Sequence, residues 1–346
     1  MSTRVRWRAE VAGPGPLQAW PDPWHDAVYV ANGPQVAPGA SRLYRFDLRT
    51  GELTGEFRPR AAVTAVAATP VADDGSGGLY VCAGHRLLWL DPATLAVRAT
   101  WSAGLPSAAT VLAAEAGRPM LATRDGTTLT FLDPADGSVR RRRLGRGLAV
   151  AGPAPGGGVL VVARAEGRVW RVAADGGLRE PWRVSDDAGG REEMSHVPAC
   201  GPVALDPLRD QLLLGPTRPW LGPRPPTGSR GAAHMLRRQD LHNPGLHIDD
   251  ELDVAFRAVK ADAAGSHAWL SSAAPEGPGE DACVVLSLPE LRVEAVLEVP
   301  GTLVAGFDPD AGIAVMWGQR PDSDRLDVSC SEMPNLVHRA GDVETR

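Results

Sequence analysis

Short apolar runs alternate with turns along nearly the whole chain. "RLYRFDLRTGELTGEF" from Arg42, "RLLWLDPATLAVRATW" from Arg86 and "TLTFLDPADGSVRRRRL" from Thr128 share one order: an apolar run, an aspartate, a short Pro, Gly or Thr turn, and a second, more polar run. "RVWRVAADGGLREPWRV" from Arg168 repeats it, as does "ACVVLSLPELRVEAVLEV" from Ala282 with Ser287 in place of the aspartate. "HMLRRQDLHNPGLHI" from His234 has one residue added after Asp240, and "RLDVSCSEMPNLVHR" from Arg325 is a degenerate last copy, seven in all. Before these copies come pairs of short runs, such as "LQAWPDPWHDAVYVA" at Leu17, "VALDPLRDQLLLG" at Val203 and "LVAGFDPDAGIAVMWG" at Leu303. Each unit is thus four short strands over about 45 residues. The middle runs ("LLWL", "VLVVA", "IAVMW") are apolar on both faces, as in strands covered on both sides. Regular four-stranded units stacked face to face predict an all-β fold, a seven-bladed β-propeller, with residues 1–346 as one domain.

The repeated aspartates Asp47, Asp91 and Asp133 have a structural job. A carboxylate entering a turn accepts hydrogen bonds from backbone N–H groups two residues on, and the following Pro or Gly fits the bend. They are read as turn caps. Two segments compete for the outermost strand of the last blade, "RVRWRAEV" at Arg4 and "NLVHRAGDV" at Asn335. The N-terminal segment is expected to take it and close the ring.

This repeat grammar resembles that of YVTN-type and quinoprotein-like propellers. Phe57, Trp101 and Trp182 sit near the place of the regular quinoprotein tryptophan. The resemblance covers nearly the whole chain, implies a propeller, and carries no cofactor with it. Streptogramin lyases are also seven-bladed, but none of their active-site residues is matched.

Two irregular segments interrupt the rhythm. With strands named A to D from the channel outward, B–C and D–A connections lie on one face and A–B and C–D turns on the other. "SDDAGGREEMSHVPACG" (185–201) is a D–A connection and "GPTRPWLGPRPPTGSRGAA" (215–233) a B–C loop, so both insertions are expected on one face, beside blade five. Long loops in compact domains are commonly functional. That face should carry His85, Arg124, Arg164, Glu166, Glu192, Glu193, His196, Cys200, Trp220 and His234. His196 with Glu192 or Glu193 could form a general acid/base pair. Trp220, His234, His85, Arg164 and Arg124 are candidate ligand contacts. A soft metal on His196, Cys200, Met194 and His234 is a weaker alternative, because no paired-cysteine or H-E-x-x-H spacing exists. No cofactor is therefore predicted. His25, His242 and His267 fall in turns of the opposite face, and His247 starts an outer strand.

Composition narrows the classes. Gly 39 and Pro 31 favour turns over helices, and a net charge of −6 provides no global field for nucleic acid or an anionic membrane. Arg140–Arg143 lie on an outer strand and read first as charges that keep an edge from pairing. Lys260 is the only lysine, hence the only side-chain amine able to form a Schiff base. No secretory h-region and no apolar run of about 18 residues is visible. The cysteines Cys82, Cys200, Cys283 and Cys330 form no C-x-x-C pair and are read as free thiols of a cytoplasmic protein. Two functions fit: a small-molecule (or peptide) binding propeller, an enzyme of lyase, hydrolase or cyclase type with its site at the channel mouth, or a non-catalytic scaffold for a protein partner.

Overall fold

The computed structural model describes residues 4–32, 40–70, 78–107, 109–115, 118–123, 126–154, 157–173, 175–183, 202–215, 235–243, 246–252, 256–273, 281–299, 301–319 and 325–333. They form seven antiparallel sheets of four strands each, a seven-bladed β-propeller. The first strand, β1 (Arg4–Ala12), belongs to the last blade. Blade one is β2 (Leu17–Asp22), β3 (Ala27–Asn32), β4 (Leu43–Asp47) and β5 (Leu53–Phe57). Blade two is β6 (Val63–Thr69), β7 (Gly78–Ala83), β8 (Arg86–Leu90) and β9 (Val97–Trp101). Blade three is β10 (Val111–Glu115), β11 (Arg118–Ala122), β12 (Thr128–Leu132) and β13 (Val139–Arg143). Blade four is β14 (Leu148–Pro153), β15 (Val159–Ala163), β16 (Arg168–Val172) and β17 (Leu178–Arg183). Blade five is β18 (Val203–Asp206), β19 (Gln211–Leu214), β20 (Met235–Asp240) and β21 (His247–Glu251). Blade six is β22 (Phe256–Ala261), β23 (His267–Ala273), β24 (Asp281–Ser287) and β25 (Val293–Glu298). Blade seven is β26 (Leu303–Asp308), β27 (Ile313–Gln319) and β28 (Arg325–Glu332), completed by β1. One 3-10 turn at Pro23–His25 is the sole helical element among the described residues.

The second strand of each blade carries the core. β3, β7 and β15 are buried along their whole length, as their two-sided apolar sequences require. Outer strands are exposed on alternate residues or throughout, and Arg140 to Arg143 of β13 all face water. The core is a series of inter-blade layers. Ala27, Tyr29 and Leu43 of blade one pack on Leu79, Val81 and Leu88 of blade two, and Leu160 and Val162 of blade four on Leu205, Leu212 and Leu214 of blade five.

The turn aspartates act as caps. Oδ1 of Asp47 accepts the N–H groups of Arg49 (2.9 Å) and Thr50 (2.7 Å) and the Thr50 hydroxyl (2.9 Å). Asp91 repeats this with Ala93, Thr94 and the Thr94 hydroxyl, and Asp133 caps Ala135 N–H at 3.0 Å. Asp240 holds the N–H groups of His242 and Asn243, so its longer turn keeps the same geometry.

Ring closure follows the N-terminal option. β1 pairs antiparallel with β28 from Arg4↔Glu332 to Ala12↔Arg325. It also fastens blade seven to blade one. Trp7 is 7% exposed, stacks on Phe46 at 5.6 Å between ring centroids, and donates its indole N–H to Leu48 O at 2.9 Å. The Tyr44 hydroxyl donates to Ala12 O at 2.7 Å. Gly51 lies so close under the Trp7 ring that a Cβ there would come within 2.5 Å of it, and its φ is +73°. Only glycine meets both conditions cheaply. The competing segment at Asn335 lies outside the described residues.

Candidate functional site

Strand direction defines two faces. Every inner strand starts on the face that carries the D–A and B–C connections, here the upper face, and ends on the lower. At blade five, β17 ends with Arg183, β18 starts at Val203, β19 ends with Leu214 and β20 starts at Met235. These four strand ends all point to the upper face. The two expected insertions, 185–201 and 215–233, fall between these strand ends, and apart from Gly215 they lie outside the described residues. Glu192, Glu193, Met194, His196, Cys200, Trp220 and His234 in or beside them lie outside the described residues, as does Arg124.

His85 and Arg164 of the expected site are described. His85 is exposed in the turn between β7 and β8. Arg164 is half-buried in the turn between β15 and β16, and its Nε donates to Gly147 O at 3.0 Å. Arg164 N–H donates to the same oxygen at 3.3 Å. Next to it, Oε2 of Glu166 accepts Arg146 N–H at 2.7 Å, and Oε1 pairs with Arg146 Nε at 3.3 Å. These bonds bind the B–C turn of blade four to the connection entering it, so Arg164 is a positioned guanidinium on the upper face. His85 and Arg164 stand on separate blades.

The lower face is built of structural polar contacts. His267 is held between Asp262 (Nδ1 to Oδ2, 3.0 Å) and Glu294 (Nε2 to Oε2, 3.3 Å). His25 Nδ1 meets Asp22 Oδ2 at 2.6 Å, and burial pushes the Asp22 carboxyl up against the opposing effect of that histidine. His242 Nε2 lies 3.5 Å from Asp210 and its ring packs edge-on to Trp182. These histidines occupy different blades and form no common site. No group of three His, Cys, Asp or Glu side chains suited to a metal occurs among the described residues.

The channel wall holds one feature that the strand pattern alone leaves unmarked. Of the seven inner strands, β22 "FRAVKA" alone carries cations, Arg257 and Lys260. Lys260 is exposed, and its Nζ reaches across to blade seven, donating to Phe307 O at 2.7 Å and lying 5.2 Å from the centre of the Phe307 ring. Desolvation lowers its pKa: although the residue is exposed, the protein packed around its ammonium leaves hydration incomplete. Asp308, Cys283 and Asp310 act in the opposite direction. Partial burial pushes the Asp310 carboxyl up, against the Ala263 N–H bond it accepts at 2.6 Å, and the neighbouring Asp308 and Asp262 push it the same way. The sequence signal was the singularity of the lysine; its partners come from the adjoining blade.

Neither a protein-family model nor a curated protein sequence matches the chain. Solved propellers match it in shape. The β-propeller domain of Cps50 (Swd1) from Myceliophteria thermophila superposes with a TM-score of 0.62 at 11% identity, over 95% of this chain and 99% of that one. Virginiamycin B lyase from Staphylococcus aureus gives 0.57 at 11% identity, over 96% of this chain and 100% of the lyase. A catalytically inactive form of that lyase with quinupristin gives 0.55 at 12% identity, over 92% and 99%. At such identities the likeness establishes the fold and nothing finer. Among the described residues no helix is long and apolar enough to cross a membrane.

Proposed function

We propose that this propeller binds a small molecule at the upper mouth of its channel, beneath the two connections that flank blade five. The observation that supports the reading is the shared orientation of the strand ends at Arg183, Val203, Leu214 and Met235, between which the two insertions fall in the chain. In this reading His196 is the base, since an unperturbed imidazole with a pKa of about 6.5 exchanges protons near neutrality. Glu192 or Glu193 orients it. Arg164 and Arg124 hold an anionic group, and Trp220, His234 and His85 complete the contacts. The chemistry is of lyase, hydrolase or cyclase type. Fold likeness does not choose between this and a scaffold role, because the solved propellers of similar shape include both a lyase and Swd1.

The test is a thermal-shift screen of metabolites against the wild-type chain, repeated with His196→Ala. The reading expects hits whose shift disappears in the variant while the unliganded melting curve is unchanged. Ligands that stabilise both proteins equally would place binding elsewhere. A wild-type chain that captures a protein partner through this face but binds no small molecule would establish the scaffold instead.

A further inference from the structure

Lys260 combines properties that a structural lysine does not need. It is the only lysine in a chain whose other cations are arginines, although arginine bridges to carbonyl oxygens elsewhere in this fold, as Arg141 does to Gly104 O and Arg238 to Pro289 O. It is an exposed residue of an inner strand, and Arg257 of the same strand is the only other cation on the seven inner strands. Among the described residues no carboxylate reaches ion-pair distance of its Nζ, and its hydrogen bond goes to the neutral carbonyl of Phe307 at 2.7 Å. A carbonyl oxygen accepts one N–H from an amine as well as from an ammonium, so the contact orients the nitrogen in either form and leaves a neutral amine its lone pair. The charged and titratable groups around it are Asp308 and Asp310 of blade seven and Cys283 of β24. Cys283 is fully buried, and burial pushes its thiol up, so it stays protonated and does not compete as a nucleophile.

We propose that Lys260 captures small uncharged aldehydes or ketones from the channel as an imine. The nitrogen lone pair forms the C–N bond as the carbonyl π pair moves to oxygen, and transfer of one proton from nitrogen to that oxygen gives the carbinolamine. Loss of the hydroxyl as water, with the second N–H proton leaving nitrogen, gives the imine. Amine and carbonyl thus become imine and water, with no net proton, oxidant or reductant. Asp310, whose carboxyl burial pushes up and which acts electrostatically on Lys260, is the candidate to pass a proton to the departing hydroxyl. The carboxylates of Asp308 and Asp310 disfavour anionic keto acids, which is why the ligand class is uncharged. The proposal does not depend on the blade-five insertions.

The experiment uses the full chain with propanal and cyanoborohydride, which reduces the imine to a stable secondary amine. With a single lysine, alkylation there is read as loss of the tryptic cut between Lys260 and Ala261, distinct from modification of the α-amino group. At pH 7 the native chain should be alkylated at Lys260 at least about twofold faster than Nα-acetyl-lysine, because a lowered amine pKa raises the neutral, nucleophilic fraction. Lys260→Arg, which keeps the cation and the bond to Phe307, should melt like the wild type and lose the adduct. Alkylation no faster than the free amino acid would overturn the proposal and leave Lys260 as a tie between blades six and seven. If Lys260→Arg fails to fold, the wild type in urea replaces it as the reference. Faster labelling of the native chain than of the unfolded chain supports capture, and slower labelling refutes it.

Discussion

Substituting Trp7 by alanine tests whether the first strand is the clasp of the ring. The indole is 7% exposed, stacked on Phe46, and bonded through its N–H to Leu48 O at 2.9 Å. Truncating a buried tryptophan costs about 3–5 kcal/mol in transfer and cavity terms. Leaving the Leu48 carbonyl without its donor adds about 1 kcal/mol. The sum is about 4–6 kcal/mol. An unfolding entropy of about 2.1 cal/mol/K per residue, over 346 residues, converts this at roughly 1.4 °C per kcal/mol. Trp7→Ala should therefore melt about 6–8 °C below the wild type in circular dichroism at matched scan rate. Trp7→Phe keeps a ring over Gly51 but loses the donor, and should fall only about 1–2 °C. Deleting residues 1–11 should lower the midpoint further than either. A Trp7→Ala protein melting within about 2 °C of the wild type would mean that the blade-seven seam is held by β26–β28 alone, and the clasp argument would be wrong.

Two further expectations concern polar and thiol chemistry. The Asp91 carboxyl is pulled down to about 2 by the Thr94 N–H bond and then by Arg98, 2.6 Å away, from an ordinary value of 3.8. A depressed carboxyl stabilises the fold above its unfolded pKa and loses that contribution as pH falls, so the melting-temperature gap between wild type and Asp91→Ala should be full at pH 5 and close between about pH 4 and 2. A gap that persists unchanged at pH 2 would contradict the cap. Cys82, Cys283 and Cys330 are free and buried, with burial pushing Cys82 and Cys330 up to about 12. A chromogenic disulfide reagent at pH 8 should therefore count at most one fast thiol in the native chain, and four in the denatured, unreduced chain; two or more fast native thiols would refute the burial, and fewer than four on denaturation would reveal a disulfide.

The ring was legible because each blade spells its own instructions locally. β15 "VLVVA" has no polar face and must be covered on both sides, and Asp47, Asp91 and Asp133 mark their turns by hydrogen bonds that span only two or three residues. The choice of β1 over the segment at Asn335 was also readable, since Trp7 and Val11 alternate with exposed arginines as an outer strand requires. What the strand pattern does not carry is contact between residues distant in sequence. The bond from Trp7 to Leu48 crosses 41 residues, that from Lys260 to Phe307 crosses 47, and the Glu294 that holds His267 comes from another strand of its blade. Period-two reasoning places these residues on a strand or in a turn without naming what meets them. The functional reading suffered most: its catalytic candidates fall in insertions without hydrophobic period, where topology locates the ends and pattern says nothing about the middle.

The borrowed strand also sets the order of events during synthesis. β1 is made before the other strands of the ring, yet its ladder partners come last; Glu10 and Arg325, which pair across it at 2.7 Å, are 315 residues apart. At roughly 5–20 residues per second, that interval lasts roughly 15–60 s, during which an extended segment with a tryptophan must find no other sheet. Its arginines at positions 4, 6 and 8 serve this waiting period, because charge on an unpaired edge disfavours addition to foreign strands. The nascent chain can stack six blades as they emerge, but the circle stays open until β28 has been made, so ring closure waits on the first and the last strand of the propeller together.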